Sequence, residues 1–230
     1  MFSNIDLGVI WRSLPYLFLD GMRFTLMLTA MATAGGVIIG TLLAMMRLSG
    51  LPILPQIAAT YTNLMRSLPL VLVIFWFYFL IPYVGQWITG ASRPISVGAF
   101  MSALVTFTLF EAAYFSEIMR AGIQSISRGQ VAAGYALGLT YWQVMGNIVL
   151  PQAFRNMLPV LLTQTIILFQ DTSLVYVLSI TDFLGAASKV AQRDGRLVEM
   201  YLFVAVVYFV MSYAASRFVK HLQTRVAVIR

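Results

Sequence analysis

Long stretches of this chain carry no charged side chain, and this feature limits the folds open to it. Residues 24–46, 67–92 and 94–110 contain no Asp, Glu, Lys or Arg. Charged residues make up 10% of the chain and hydrophobic residues 60%, whereas a soluble domain is about 25% charged. A soluble fold would leave much of this apolar surface in water. The sequence therefore predicts an all-α integral membrane protein.

Five segments of the chain are long and apolar enough to cross a bilayer as helices, which takes about 20 residues each. They are residues 24–46, about 70–88, 94 to about 117, about 157 to 171 or beyond, and about 200–218. The uncharged stretch 129–154 is not predicted to span, because it holds several amide side chains, four glycines and Pro151. In the first span, Gly36 and Gly40 have the GxxxG spacing that lets another helix approach closely, although small residues also recur there by chance.

The basic residues lie between the apolar stretches and indicate an orientation. The chain has 15 Lys and Arg against 8 Asp and Glu, and basic residues favour the cytoplasmic side of a membrane. Five alternating spans satisfy this bias when the N-terminus is outside and the C-terminus is cytoplasmic. Residues 1–20 are then an interfacial segment with no signal peptide, containing a short helix at about 10–20, and residues 221–230 are a basic cytoplasmic tail. Because the basic residues form no continuous face, nucleic acid is not an expected partner.

The segment from about residue 121 to 155 is more polar and contains two helix-start signals. Residues 127–130 and 140–143 both have the S/T-x-x-Q pattern of a capping box. The first predicted helix starts near Arg128 and stops near Gly138, since glycine readily takes the left-handed conformation that ends helices. The second helix runs to Pro151, which should break or kink it. A short helix outside the membrane is not stable alone, so a groove in a partner protein is expected to hold it.

This segment resembles the EAA loop of ABC importer membrane subunits. Gly138 is followed, after nine residues, by Ile148, and then by Leu150 and Pro151, which gives the G-x9-I-x-L-P form of that loop. Similar residues continue through 152–155, and also occur upstream in 114–122 and downstream in 171–174. The resemblance covers about residues 20–220 and is to polar amino-acid permeases, in particular the glutamate/aspartate branch.

The resemblance implies a MetI-like, type-1 importer core in residues 21–220, in the bacterial inner membrane. Such a core pairs with a second permease subunit, docks an ATPase dimer on its cytoplasmic loops, and receives substrate from an external amino-acid-binding protein. ATP and Mg would be bound by the ATPase, with no cofactor on this chain. The sequence agrees, because neither of its lysines, Lys189 and Lys220, belongs to a G-x-x-x-x-G-K-[ST] phosphate loop.

The resemblance also assigns residues to coupling with the ATPase. These are Ala132, Ala133, Gly134, Gly138, Ile148, Leu150 and Pro151. Counting back from Gly138, the family's glutamate falls on Ala132, so the side chain that usually reaches the ATPase is absent. We therefore expect this chain to form a heterodimer with a paralogous permease that keeps the glutamate.

Polar residues within or beside the spans are candidates for the substrate pathway. They are Arg66, Glu111, Gln170, Asp171, Thr172 and Ser173. Glu111 either faces the pathway or bonds to a neighbouring helix. Asp171 either lines a cavity at a helix break or caps a following helix. Glu117 is expected to form a local pair with Arg120, three residues on.

Two other classes of membrane protein are alternatives to an importer subunit. A secondary transporter or channel for a small polar solute usually has internal repeats or a broken ion-binding helix, and no duplication is evident here. A membrane enzyme is disfavoured, because the H-E-x-x-H and G-x-S-x-G motifs are missing. No catalytic residue and no metal site are predicted, since the chain has no cysteine and a single histidine, His221.

Overall fold

A computed structural model describes residues 6–226, and this part of the chain consists of helices and connecting turns. The α-helices are α1 Gly8–Tyr16, α2 Arg23–Leu48, α3 Leu54–Ser67, α4 Leu70–Thr89, α5 Ala99–Gln124, α6 Arg128–Ala136, α7 Tyr141–Val144, α8 Leu150–Asp171, α9 Phe183–Asp194 and α10 Leu197–Val226. Two π-helical turns, Leu17–Met22 and Met145–Val149, and a 3₁₀ helix, Thr172–Leu178, join neighbouring α-helices. The predictions for residues 1–5 and 227–230 lie outside the described residues.

Five helical segments are long and apolar enough to span a membrane, which confirms the predicted number. They are Gly8–Leu48, Leu70–Thr89, Ala99–Gln124, Tyr141–Leu178 and Leu197–Arg225. Large apolar side chains point outward from them, among them Trp87, which is 87% exposed, and Phe209, which is 66% exposed. Hydrocarbon accepts such a surface, whereas water does not.

Two boundaries differ from the sequence-based prediction. The predicted short helix at about 10–20 is not separate, because α1 continues through the π-helical turn Leu17–Met22 into α2. The helical segment that contains the fourth span begins at Tyr141, and its 38 residues exceed the about 20 that cross a bilayer, so the start of the span near residue 157 stays a prediction. Of the predicted break or kink at Pro151, the break does not occur, because the helix continues through this residue. Proline lacks an N–H and its ring crowds the carbonyl four residues back, and the wider π-helical turn Met145–Val149 lies at that position.

The described residues fall into two compact units, of which the first comprises those of Met1–Ala34, Leu68–Thr108 and Ile166–Ala214. One buried cluster surrounds Phe183 and includes Leu17, Phe169 and Met200. A second cluster contains Leu28, Ala32, Phe107 and Leu168 among its buried members. Helix α9, which the sequence analysis did not predict, lies in this unit and has seven buried residues.

Asp182 starts helix α9 from a fully buried position. Its carboxylate accepts hydrogen bonds from the backbone N–H groups of Leu184 at 3.0 Å and Gly185 at 2.9 Å. Burial raises the pKa of Asp182 to about 7, although the two N–H donors act in the opposite direction. The next N–H, that of Phe183, donates to Thr25 Oγ1 at 3.0 Å. These bonds satisfy the first turn of α9 inside the unit.

The second unit comprises Gly35–Ser67, Leu109–Thr165 and the described residues of Ala215–Arg230. Here α2 lies against α5 at the two glycines of the GxxxG pair, which confirms their predicted packing role. A Cβ on Gly40 would lie 2.9 Å from Phe115 Cβ and 3.0 Å from the backbone oxygen of Ala112. A Cβ on Gly36 would meet the Phe115 ring at 3.0 Å. The two helices therefore approach as closely as their backbones allow.

Substitution of these glycines tests the close approach of α2 and α5. Alanine normally stabilises a helix relative to glycine, but Gly40→Ala should lower the free energy of unfolding by about 1–3 kcal/mol, because its Cβ meets backbone atoms. Gly36→Ala should cost less, since a ring can shift. Gly129→Ala, which has open space around it, is the control. Thermal unfolding in detergent measures all three, and an unchanged melting temperature for Gly40→Ala would contradict the packing.

Candidate functional site

Helix α6 is defined at both ends by its own sequence. Ser127 Oγ accepts a hydrogen bond from the backbone N–H of Gln130 at 3.4 Å, as the N-cap of the helix. At the other end Gly138 has φ +78°. The N–H of Gly138 donates to the Tyr135 carbonyl and that of Leu139 to the Gly134 carbonyl, which is the Schellman arrangement. The predicted start and stop of this helix are both confirmed.

The Gln130 side chain departs from the predicted capping box. Its Oε1 accepts a hydrogen bond from Gln152 Nε2 at 2.6 Å, so this side chain links α6 to α8. The second predicted capping box is complete, with both the Thr140 and Gln143 side chains bonded to backbone N–H groups. It starts α7, which continues through the π-helical turn into α8.

A glycine lets α6 lie directly on the π-helical turn. Gly134 is buried, and a Cβ there would be 2.8 Å from Ile148 Cδ1 and 3.0 Å from Val144 Cγ2. This contact and the Gln130–Gln152 bond hold α6 against the start of the long helix. The segment 121–155 is therefore internally fixed rather than a loose loop.

The predicted coupling residues divide into exposed and internal positions. Ala132, Ala133, Leu150 and Pro151 are exposed and available to a partner, as is Gly138, which forms the turn. By contrast, Gly134 and Ile148 pack against each other within the segment. The assignment of these residues to coupling stays a prediction.

Two exposed apolar side chains of the segment 121–155, Leu137 and Trp142, are not among the predicted coupling residues. Leu137 is 81% exposed and Trp142 is 80% exposed, and the rings of Trp142 and Tyr141 are in contact with centroids 5.3 Å apart. Exposed apolar side chains of this size in the polar segment 121–155 are candidates for contact with a partner protein. Their position in a polar segment, next to residues that end or start a helix, could have identified them from the sequence.

A cluster of three charged residues, Arg47, Glu117 and Arg120, joins α2 to α5 in the second unit. The expected pair forms, with Arg120 Nη2 2.7 Å from Glu117 Oε2. The other carboxylate oxygen binds Arg47 of α2, a partner that the sequence analysis did not identify. Only 17% of the Glu117 side chain is exposed, so this carboxylate is shared by two guanidinium groups in a largely dry position.

Arg66 faces a cavity of about 540 Å³. The walls of the cavity include Glu117, Gly122, Ser125, Asn156 and Met157. The Arg66 guanidinium lies over the Tyr114 ring, 5.4 Å from its centroid. Within the described residues Arg66 forms no ion pair, because Glu117 is engaged by the two other arginines. The cavity thus offers a cation that is oriented by an aromatic ring and open to an anion.

Glu111 is fully buried and bonds to a neighbouring helix. Gln164 Nε2 of α8 donates to Glu111 Oε2 at 3.0 Å. Of the two alternatives for Glu111, the structure shows the interhelical bond, and Glu111 is not among the residues lining the Arg66 cavity. A charge in a span needs such a partner because hydrocarbon provides none.

The remaining predicted pathway residues lie in the first unit, where α8 changes to a 3₁₀ helix. Asp171 ends α8, and its side chain makes no cap bond to the following turn, which contradicts the capping alternative. Gln170 is exposed, Asp171 and Ser173 are partly exposed, and Thr172 is buried with its hydroxyl donating to the Phe169 carbonyl at 2.7 Å. Their role in a pathway stays a prediction.

The sequence is similar to known transport proteins over most of its length. Residues 36–228 match the family described as "Binding-protein-dependent transport system inner membrane component". Glutamate/aspartate import permease protein GltK of Escherichia coli O157:H7 is 54% identical over 224 residues, covering 97% of this chain and 99% of that protein. Glutamine transport system permease protein GlnP of Escherichia coli K12 is 31% identical over 226 residues, covering 98% and 100%.

A solved structure shares the arrangement of the helices. The chain from "Crystal structure of an amino acid ABC transporter with histidines" superposes with a TM-score of 0.85 at 29% sequence identity. The match covers 97% of this chain and 100% of that chain. The predicted MetI-like fold is confirmed by this similarity.

Removal of the shared carboxylate tests the charged cluster. In Glu117→Gln the two guanidinium groups of Arg47 and Arg120 lose their counter-charge in a poorly hydrated position, so the free energy of unfolding should fall by about 2–4 kcal/mol. The matched control is Asp194→Asn, which removes the more exposed pair with Arg193 and should leave the melting temperature unchanged. Equal shifts for the two variants would show that the Glu117 cluster contributes no more than a surface pair.

Proposed function

The chain belongs to the family of binding-protein-dependent transport system inner membrane components, and we propose that the importer it serves carries glutamate and aspartate. As a member of this family it is a multi-pass inner-membrane permease subunit of an amino-acid ABC importer, a transport component and not an enzyme. An ATPase and a binding protein are its family-implied partners. The observation that carries the substrate proposal is the 54% identity, over 97% of the chain, to a glutamate/aspartate import permease.

The Arg66 cavity supports an acidic substrate. A second carboxylate distinguishes glutamate and aspartate from other polar amino acids, and a guanidinium is the side chain best suited to bind it. Arg66 is free of ion pairs in the described part of the chain and lines a cavity large enough for such a ligand. We assign the substrate carboxylate to Arg66, with the amide of Asn156 as a further hydrogen-bonding group.

The other pathway residues are proposed to act where the fourth span changes its helix type. Gln170, Asp171 and Ser173 present polar groups at the end of α8. Because Asp171 makes no cap bond, its carboxylate is available for the α-ammonium group that every amino-acid substrate carries. The buried Glu111, by contrast, is proposed to hold α5 and α8 together.

ATP and Mg are proposed to bind on the partner ATPase, since this sequence contains no phosphate loop. The exposed face of α6 with Ala132 and Ala133, together with the exposed Leu137 and Trp142, is the proposed docking surface for that ATPase. Apolar side chains of this size supply most of the affinity in a typical interface. In this arrangement the fixed contact of Gly134 with Ile148 transmits motion of the ATPase to α8.

A paralogous permease is the proposed second half of the path. Ala132 occupies the position of the family glutamate, so this chain lacks one charged contact to the ATPase. A partner chain that keeps the glutamate would restore it on one side of the complex. The proposed orientation has the N-terminus outside and the C-terminus cytoplasmic, which places the segment 121–155 on the ATPase side.

Uptake by the isolated complex tests the transport proposal. A mild-detergent pull-down of the tagged chain should recover an ATPase and a second permease, and vesicles containing this complex with its binding protein should take up glutamate and aspartate only with ATP. Excess glutamine should not compete. Uptake without ATP would instead support a secondary transporter or channel.

Arg66→Gln should reduce uptake about tenfold or more, and Arg66→Lys less, because lysine keeps the charge but not the bidentate geometry.

A charge on α6 tests the coupling surface. Glutamate forms helices nearly as well as alanine, so Ala133→Glu should leave folding and membrane insertion intact while it places a carboxylate in the ATPase contact. The expected result is ATP hydrolysis with little uptake, measured as substrate transported per ATP hydrolysed. Ala133→Ser is the control and should behave as the unmodified chain. Normal uptake per ATP in Ala133→Glu would refute the assignment of this surface.

A further inference from the structure

A second cavity lies where the uncharged stretch 24–46 of the first helical segment begins. It has a volume of about 370 Å³, and its walls include Asp20, Arg23, Phe24, Met27, Phe100 and Thr181. All of these residues belong to the first unit. We propose that this cavity binds a zwitterionic aminophospholipid, with the lipid phosphate on Arg23 and its primary ammonium on Asp20.

The charges that line the cavity form no ion pair within the described residues 6–226. Asp20 and Arg23 are exposed, and neither forms an ion pair with another described residue. A third charge is adjacent, because Lys189 donates a hydrogen bond from Nζ to the Thr181 hydroxyl. One cation and one carboxylate therefore line the cavity, with a second cation bonded to its wall, which matches a phosphate beside an ammonium.

The position of these groups along the first span corresponds to headgroup depth. Residues 24–46 are 23 residues without a charged side chain, and at 1.5 Å per residue they cover about 35 Å. The hydrocarbon core is about 30 Å thick. Arg23 and Asp20 therefore lie at the edge of the hydrocarbon, and this conclusion holds for either orientation of the chain in the membrane.

The apolar walls distinguish a lipid from a soluble amino acid. Phe24 and Met27 follow Arg23 into the uncharged part of the span, and Phe100 packs edge-on against Phe24 with ring centroids 5.3 Å apart. The lining is therefore polar at Asp20, Arg23 and Thr181 and apolar at Leu19, Phe24, Met27 and Phe100. An acyl chain fits such a wall, whereas the polar side chain of glutamate would lose its hydration there.

The backbone fixes Asp20 at this place. Asp20 lies in the π-helical turn Leu17–Met22, and the next residue, Gly21, is in close contact with α9. A Cβ on Gly21 would be 2.8 Å from Ala186 Cβ and 3.0 Å from the Asp182 carbonyl oxygen. The turn is therefore held against α9, which fixes the backbone position of Asp20, three residues before Arg23.

Lipid-dependent thermal stability of the full-length chain in detergent tests the proposal. The probes are phosphatidylethanolamine, phosphatidylcholine and phosphatidylglycerol with the same acyl chains, and free glutamate. Phosphatidylethanolamine should raise the melting temperature most, because the choline group cannot donate a hydrogen bond and phosphatidylglycerol has no ammonium. Native mass spectrometry of the isolated complex should find this lipid retained.

Variants of the two charged residues separate their roles. Asp20→Asn should remove the preference for phosphatidylethanolamine over phosphatidylcholine, and Arg23→Gln should weaken binding of all three phospholipids by roughly three- to tenfold. Arg93→Gln, an exposed arginine outside the cavity, is the control and should change nothing.

Three results would overturn the proposal. The first is equal stabilisation of the unmodified chain by phosphatidylethanolamine and phosphatidylcholine. The second is an unchanged preference in Asp20→Asn, or the same loss in Arg93→Gln. The third is stabilisation by glutamate that disappears in Asp20→Asn, which would make the cavity an amino-acid site. These outcomes do not depend on ATP-driven uptake, so they are independent of the proposed transport function.

Discussion

Hydrocarbon offers no hydrogen bonds, so a polar group of a spanning helix is stabilised by a partner within the protein. The threonine hydroxyls show this directly, since several donate to the carbonyl four residues earlier in their own helix. These are Thr29, Thr41, Thr106, Thr163 and Thr165. The same requirement explains why Glu111 is paired with Gln164.

Two kinds of contact hold the helices of the second unit together, and each suits its surroundings. Gly36 and Gly40 bring α2 against α5 through van der Waals contact alone, which is effective in lipid because no apolar surface needs to be removed from water. Arg47 and Glu117 join the same two helices through charge. The glycines precede the charges along α2, so packing continues into an ion pair where the uncharged part of the helix ends. A pair of this kind fixes the register of two smooth helices.

The sequence predicted the features that depend on short stretches of chain. The number of spans, both ends of α6, the capping box at Thr140 and the GxxxG packing are each encoded within a few residues. The missed features join residues that are far apart, as with Arg47 and Glu117, or depend on space in the fold, as with the buried face of α9. At Pro151 the sequence predicted a break or a kink, and the helix is continuous there with a π-helical turn just before the proline. The sequence predicted that Arg66 belongs to the candidate site. It did not predict the cavity that Arg66 lines, because residues from separate helices form its walls.

The segment 121–155 has the internal stiffness that its proposed role in coupling to an ATPase requires. A lever has to be stiff, and the stiffness here is internal: the Ser127 cap, the Gly138 turn, the Gln130–Gln152 bond and the buried Gly134 leave α6 little freedom. A glutamate at position 132 would add affinity for a partner but nothing to this stiffness. Exposed apolar groups such as Trp142 can replace the affinity. Alanine in place of the family glutamate at position 132 is therefore compatible with the proposed transmission of motion, because affinity and rigidity are supplied by different residues.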